Sequence, residues 1–166
     1  MDASNPLREA QRLVLDTNAA LDWLMFRDRQ FESIAAAIEA HHVQLFTDDA
    51  CLAELDRVLQ YTKFGLDETR RTELSAKYRA HVTLRPVEDD DPALFVPLPL
   101  CSDPDDQKFM ELAFHTSAIL VTKDKALLRL RRAAKAARLV IMHPDHLTEE
   151  LRKVADGSPD SSHPPR

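Results

Sequence analysis

The sequence predicts an α/β fold, a sandwich built around a central, mostly parallel sheet. Three observations lead there. Short apolar runs at 12–15, 43–46, 118–121 and 138–142 alternate with longer stretches of helical periodicity, the pattern of strand–helix–strand units. Two of the runs stop at acidic segments: Arg12-Leu13-Val14-Leu15 at Asp16, and Ala118 to Val121 at Thr122-Lys123-Asp124. Finally, 166 residues with 44% apolar side chains suit one domain, which at this size buries on the order of two-thirds of its unfolded surface.

Taken in order, residues 12–15 read as a buried strand that delivers a carboxylate at its C-terminal end. Asn18 to Phe26 reads as a short helix. Phe31, Ile34, Ala35 and Ile38 recur at i, i+3, i+4 and i+7, an amphipathic helix. Val43 to Phe46 is a second strand, after which Thr47 or Asp48 can cap a helix. Leu52, Leu55 and Leu59 line one face of that helix, with Cys51 and Val58 beside them and Glu54 at the edge of the stripe. Residues 67–80 read as a polar helix with few apolar anchors. Pro86, Pro92, Pro97, Pro99 and Pro104 mark 86–104 as a long loop. Ser102-Asp103-Pro104-Asp105-Asp106 reads as a helix start, with Asp103 at the cap and proline in the first position. Phe109, Leu112 and Ala113 are the buried stripe of that helix. A strand at 118–121, a helix over 125–137, a strand at 138–142 and a short helix over 147–154 complete the domain. Its expected limits are 12–154, with an N-terminal extension at 1–11 and a disordered tail at 155–166. There is no internal repeat.

Composition narrows the function. No apolar run reaches the ~20 residues of a membrane span, and Met1 to Gln11 lacks the apolar core of a signal peptide. Cys51 and Cys101, fifty residues apart, form neither a disulfide framework nor a zinc pattern. A cytoplasmic location is therefore expected. The net charge of -6 argues against a generic nucleic-acid coat. It leaves room for a nuclease, whose metal-binding carboxylates subtract from the total. The only glycines, Gly65 and Gly157, lie outside any strand-to-helix turn. Phosphate-cradling loops, dinucleotide fingerprints and nucleophile elbows all need glycines there, so no nucleotide cofactor is expected.

Four acids stand out. Asp16 and Asp124 end strands, Glu54 sits on a helix beside its apolar stripe, and Asp106 lies in the first turn of another helix. Carboxylates drawn together repel unless one takes up a proton or a cation intervenes. Mg²⁺ or Mn²⁺ suits such a set, because hard ions prefer carboxylate and water oxygens. Each acid also has a plainer use. Asp16 and Asp124 can cap the helices that follow them, Asp106 can complete a capping box with Asp103, and Glu54 can be a solvated helix residue. Spacing alone does not choose between these readings.

Four ordered segments resemble the PIN-domain family: Leu15-Asp16-Thr17-Asn18 after an apolar run, Cys51-Leu52-Ala53-Glu54-Leu55, Asp105-Asp106-Gln107-Lys108-Phe109-Met110-Glu111-Leu112-Ala113, and Leu120-Val121-Thr122-Lys123-Asp124. The similarity runs from about residue 12 to 143. It looks closest to the branch that supplies the toxin components of toxin–antitoxin systems. The resemblance implies a PIN-like three-layer α/β/α sandwich and a Mg²⁺- or Mn²⁺-dependent endoribonuclease cleaving single-stranded RNA. Asp16, Glu54, Asp106 and Asp124 would be its catalytic, metal-holding acids, and Asn18 and Thr122 polar supports. Asp103 and Asp105 are acidic neighbours whose role the match leaves open. An antitoxin protein is the implied partner. A homodimer is expected from the resemblance and from the apolar Trp23, Leu24 and Phe26.

Around this set, Lys125, Arg129 and Arg132 fall at i, i+4 and i+7, as do Arg131, Lys135 and Arg138. With Lys123 they could hold RNA phosphates beside the site, or form a solvated face with Leu127, Leu130 and Ala134 turned inward. His143-Pro144-Asp145-His146 reads as loop rather than metal site. Two other functions compete. A phosphoacceptor receiver-like signalling domain also gathers aspartates at strand ends, but needs a paired acid after the first strand and an acceptor aspartate on a middle one. A dehalogenase-type phosphatase needs Asp-x-Asp where this chain has Asp16-Thr17-Asn18. The remaining alternative is a non-cleaving PIN-fold module that binds RNA or protein.

Overall fold

The computed structural model describes residues 11–85 and 97–157. Most of the expected N-terminal extension, the part of the proline-rich loop that includes Pro86 and Pro92, and most of the expected tail lie outside the described residues. Five parallel strands form one sheet: β1 (Gln11–Leu15), β2 (Val43–Thr47), β3 (Val82–Leu84), β4 (Ile119–Val121) and β5 (Val140–Met142). Their order is β3-β2-β1-β4-β5, which puts β1 in the middle. Leu13 pairs with Leu45 on one side and with Ile119 on the other. A central strand buried on both faces must be apolar at consecutive positions, and Leu13, Val14 and Leu15 are all buried.

The two faces carry separate cores. Leu13 and Leu15 join Leu21, Phe31, Ile34, Ile38, Leu55 and Tyr78 on one side, while Val14 and Leu120 join Phe109, Met110, Leu112 and Leu127 on the other. Helices on both faces make this a three-layer α/β/α sandwich. They are α1 (Thr17–Leu21), α2 (Glu32–Glu39), α3 (Asp49–Leu59), α4 (Glu68–His81), α5 (Pro104–Thr116), α6 (Lys125–Arg129), α7 (Arg131–Ala136) and α8 (Pro144–Ala155). Aspartates cap five of them. Asp16, Asp48, Asp67, Asp103 and Asp124 each accept a backbone N–H from the first turn of α1, α3, α4, α5 and α6 respectively, satisfying donors that have no partner within the helix.

The structure departs from the sequence expectations in five places. The helix expected over 18–26 is α only to Leu21 and continues as a π-helical turn, Asp22–Phe26. Within it Trp23 and Leu24 are buried in the core, so of the three apolar residues taken as a dimer surface only Phe26 is exposed. The helix expected over 125–137 breaks at Leu130 into α6 and α7. The edge strand β3 was not expected; it follows α4 directly and pairs with β2. Helix α8 starts at Pro144 rather than Leu147, because His143 caps it by accepting the Asp145 N–H at Nδ1, 3.1 Å away. That bond accounts for the histidine without a metal.

Candidate metal centre

In the sheet order, β1 is followed in sequence by β2 on one side, while β4 lies on its other side. Where strand order reverses, the helices diverge and leave a crevice at the carboxyl ends of the strands. Asp16 follows β1 there, and Thr122 to Asp124 follow β4. Thr122, fully buried, joins the two strand ends: its hydroxyl donates to Asp16 Oδ2 and accepts the backbone N–H of Asp124 at 2.9 Å. Asp16 Oδ1 accepts the Ala19 N–H at 2.8 Å, and Asp124 Oδ1 accepts the Leu127 N–H at 3.1 Å. Both aspartates therefore cap helices, as the plainer reading had it, yet capping uses only one oxygen of each.

Electrostatics brings the other acids into the same neighbourhood. Burial raises the Asp16 carboxyl from its ordinary 3.8 to about 6, against the lowering effect of the Thr122 and Ala19 bonds, with Asp106 and Asp124 adding repulsion. Asp106 is also pushed up to about 6, by burial first and then by Asp124, Asp103 and Glu54, with Lys108 opposing. The cap of α5 is made by Asp103, which accepts the Asp105 N–H at 3.0 Å; the Asp106 N–H bonds to the Asp103 carbonyl. Glu54, on α3, is nearly buried and well partnered. Oε2 accepts the Thr17 hydroxyl, and Oε1 lies 2.8 Å from Lys108 Nζ and 3.7 Å from Arg57 Nη2.

Among the described residues, no three His, Cys, Asp or Glu side chains stand close enough to enclose a cation directly. The four acids share an electrostatic neighbourhood without converging to contact. The donor set still fits a hard divalent ion, which keeps several waters and binds through one or two carboxylates. Every candidate donor is an oxygen. Both cysteines are buried and free, and burial pushes the Cys51 thiol up, away from the thiolate form.

The basic residues fare differently from one another. Lys123 bridges Asp28 at 2.6 Å and Asp22 at 3.0 Å. Burial alone would lower its pKa, but these two partners outweigh it and raise it. Lys123 is thus a tether between the β4–α6 loop and the π-helical turn, not an available phosphate ligand. Lys125 is exposed and lines a pocket of about 510 Å³ with Asn18, Asp22, Phe26 and Asp124. Arg129 and Arg132 are exposed as well, but the break at Leu130 places them on different helices, so no continuous basic stripe forms. Thr17, Asp22, Phe26 and Lys108 were missed as neighbours of the site by sequence reasoning. Thr17 and Lys108 lie inside the motifs quoted above; Phe26 was expected in the core or at an interface rather than as a base-stacking platform, and nothing local marks Asp22.

The fold is a parallel α/β/α sandwich with carboxylates at its switch point. The chain belongs to the PIN-domain family: the profile of the PIN domain matches residues 12–126, a span that includes all four acids. A search of curated protein sequences found no match. Among solved structures the chain is similar to the crystal structure of VapBC2 from Rickettsia felis bound to a DNA fragment from their promoter, with 12% identity and a TM-score of 0.59, over 80% of this chain and 98% of that one. At that identity the likeness is one of fold. Among the described residues no helix is long and apolar enough to cross a membrane.

Proposed function

We propose that this PIN-domain protein is a Mg²⁺- or Mn²⁺-dependent endoribonuclease that cleaves single-stranded RNA and acts as the toxin of a toxin–antitoxin pair. One observation carries the reading: Thr122 ties Asp16 to Asp124 at the sheet's switch point, within electrostatic reach of Asp106. Asp16, Asp106 and Asp124 would hold the cation, with Glu54 holding a water or a second position. The cation, when bound, lowers the pKa of a water and offsets charge on the phosphodiester. The chain's own contribution is orientation. Thr122 fixes the rotamer of Asp16, the caps of α1 and α6 fix the backbone beneath each acid, and Lys125 supplies positive charge for RNA phosphate. An antitoxin partner is supported by the fold shared with a VapBC complex.

The receiver-like alternative fails on topology. Receivers use the strand order 2-1-3-4-5, whereas this sheet runs 3-2-1-4-5. RNA cleavage in Mn²⁺, in EDTA and with Asp16→Asn tests the proposal. Cleavage by the parent in Mn²⁺ alone supports it. Binding without cleavage in Mn²⁺ would make the chain a non-cleaving module.

A further inference from the structure

The chain beyond α1 takes an unusual path. Asp22–Phe26 forms a π-helical turn, closed by Arg27 in the left-handed region at φ 44°. A π-turn inserts a residue into helical register, and such turns recur at functional sites. Here it sends Trp23 and Leu24 into the core and leaves Phe26 56% exposed. Phe26 stands on the wall of the pocket that also holds Asn18, Asp124 and Lys125. The Phe64 ring backs it, with centroids 6.1 Å apart and planes tilted by 55°, and Lys63 Nζ lies 5.1 Å from the Phe64 centroid. The one other acid on the pocket wall, Asp22, is paired with Lys123, which it shares with Asp28.

We infer that Phe26 is a stacking platform for one unpaired base of the RNA, next to a phosphate held by Lys125. The inference rests on the ribonuclease reading and names how the substrate is gripped. Single strands are held by combining cations along the backbone with aromatic faces under the bases, and this pocket offers both beside a metal-centre acid. Its volume of about 510 Å³ lies in the range of roughly 300–1,000 Å³ typical of small-ligand clefts. A docked protein would instead need on the order of 800 Å² of surface, far more than one ring offers. Because every base has a π-face, the platform tolerates sequence, and the position stacked on Phe26 carries little base preference.

The test measures fluorescence anisotropy of a labelled single-stranded oligoribonucleotide in Mn²⁺, with all chains carrying Asp16→Asn so that the RNA survives. Phe26→Ala should weaken binding by about 5- to 150-fold, the loss expected for one stacked base. Phe26→Trp should restore affinity and Phe26→Leu should not. An abasic site moved along the oligonucleotide should, at one position, erase the difference between Phe26 and Phe26→Ala. Because Phe26 is exposed, unchanged melting of Phe26→Ala serves as the folding control. The inference falls if Phe26→Ala or Phe26→Leu binds as tightly as the parent side chain while the chain with Asp16 intact still cleaves RNA; the ribonuclease reading then stands. If the intact chain neither cleaves nor binds RNA in Mn²⁺, both fall.

Discussion

Replacing Asp16 with asparagine pits two roles of one side chain against each other. As a cap, Asp16 accepts the Ala19 N–H, and asparagine caps about as well as aspartate. Losing the negative charge at a helix N-terminus would cost about 0.3–1 kcal/mol. As a buried carboxylate among like charges, its pKa stands at about 6 against an ordinary 3.8. At about 1.4 kcal/mol per pKa unit, holding it ionised destabilises the metal-free fold by up to about 3 kcal/mol. Asparagine removes that penalty and forfeits part of the Thr122 bond, worth ~1 kcal/mol. The larger effect wins, so the metal-free variant should gain about 1–1.7 kcal/mol at pH 7.5, or about 2–7 °C in melting temperature. At pH 4.5 the parent carboxyl is largely protonated in the folded state, and the gain should shrink towards zero. Thermal or urea melts in EDTA at both pH values measure this directly. A variant less stable than the parent at pH 7.5, or equally displaced at both pH values, would refute the account of Asp16 as a strained metal-site acid.

The same carboxyl gives the parent a pH dependence. Its folded pKa lies above the unfolded one, so the folded state holds the proton more tightly. Metal-free stability should therefore fall as pH rises from about 4 to about 6 and level off above, a slope that urea titrations would show reduced in Asp16→Asn. Lys108 sits 2.8 Å from Glu54 and acts as a built-in counter-ion. Lys108→Met should raise Mn²⁺ affinity severalfold by removing that competition, and unchanged affinity by calorimetry would show that the pair does not compete with metal. Lys123 and Lys125 should separate cleanly. Lys123→Met breaks the tether to Asp22 and Asp28 and should cost about 1 kcal/mol of stability. Lys125→Ala should leave stability unchanged and reduce the salt slope of single-stranded RNA binding by about 0.7; the opposite assignment would show in the same two measurements.

The frame of the site could be read from residues alone because it is made of local punctuation. An apolar run that stops at Asp16, another that stops at Thr122 and a proline after Asp103 each mark a boundary that the chain respects. The parts that escaped reading depend on partners distant in sequence. Lys108 and Glu54 are 54 residues apart, and no spacing rule pairs them. Strand β3 is three residues long, paired only with β2 and mostly exposed, too short for alternation to show. In Asp22–Phe26 the apolar residues Trp23, Leu24, Met25 and Phe26 are consecutive, so periodicity could not say which would face out. The break at Leu130 has no glycine or proline to announce it. Leu127 and Ala134, seven residues apart, are buried in the same core on either side of it, so the inward apolar positions read as one uninterrupted helix.

The bond from Thr122 to Asp16 spans 106 residues, and that span has a consequence in time. During synthesis, β1 and β2 emerge early and can pair, but β1 keeps one open edge until β4 arrives. Until then Asp16 has no hydroxyl to orient it and no Asp124 beside it. A ribosome making this chain thus carries, for most of the journey, a nascent polypeptide in which Asp16 lacks its Thr122 partner, and one stalled before residue 122 releases a product that cannot form that bond.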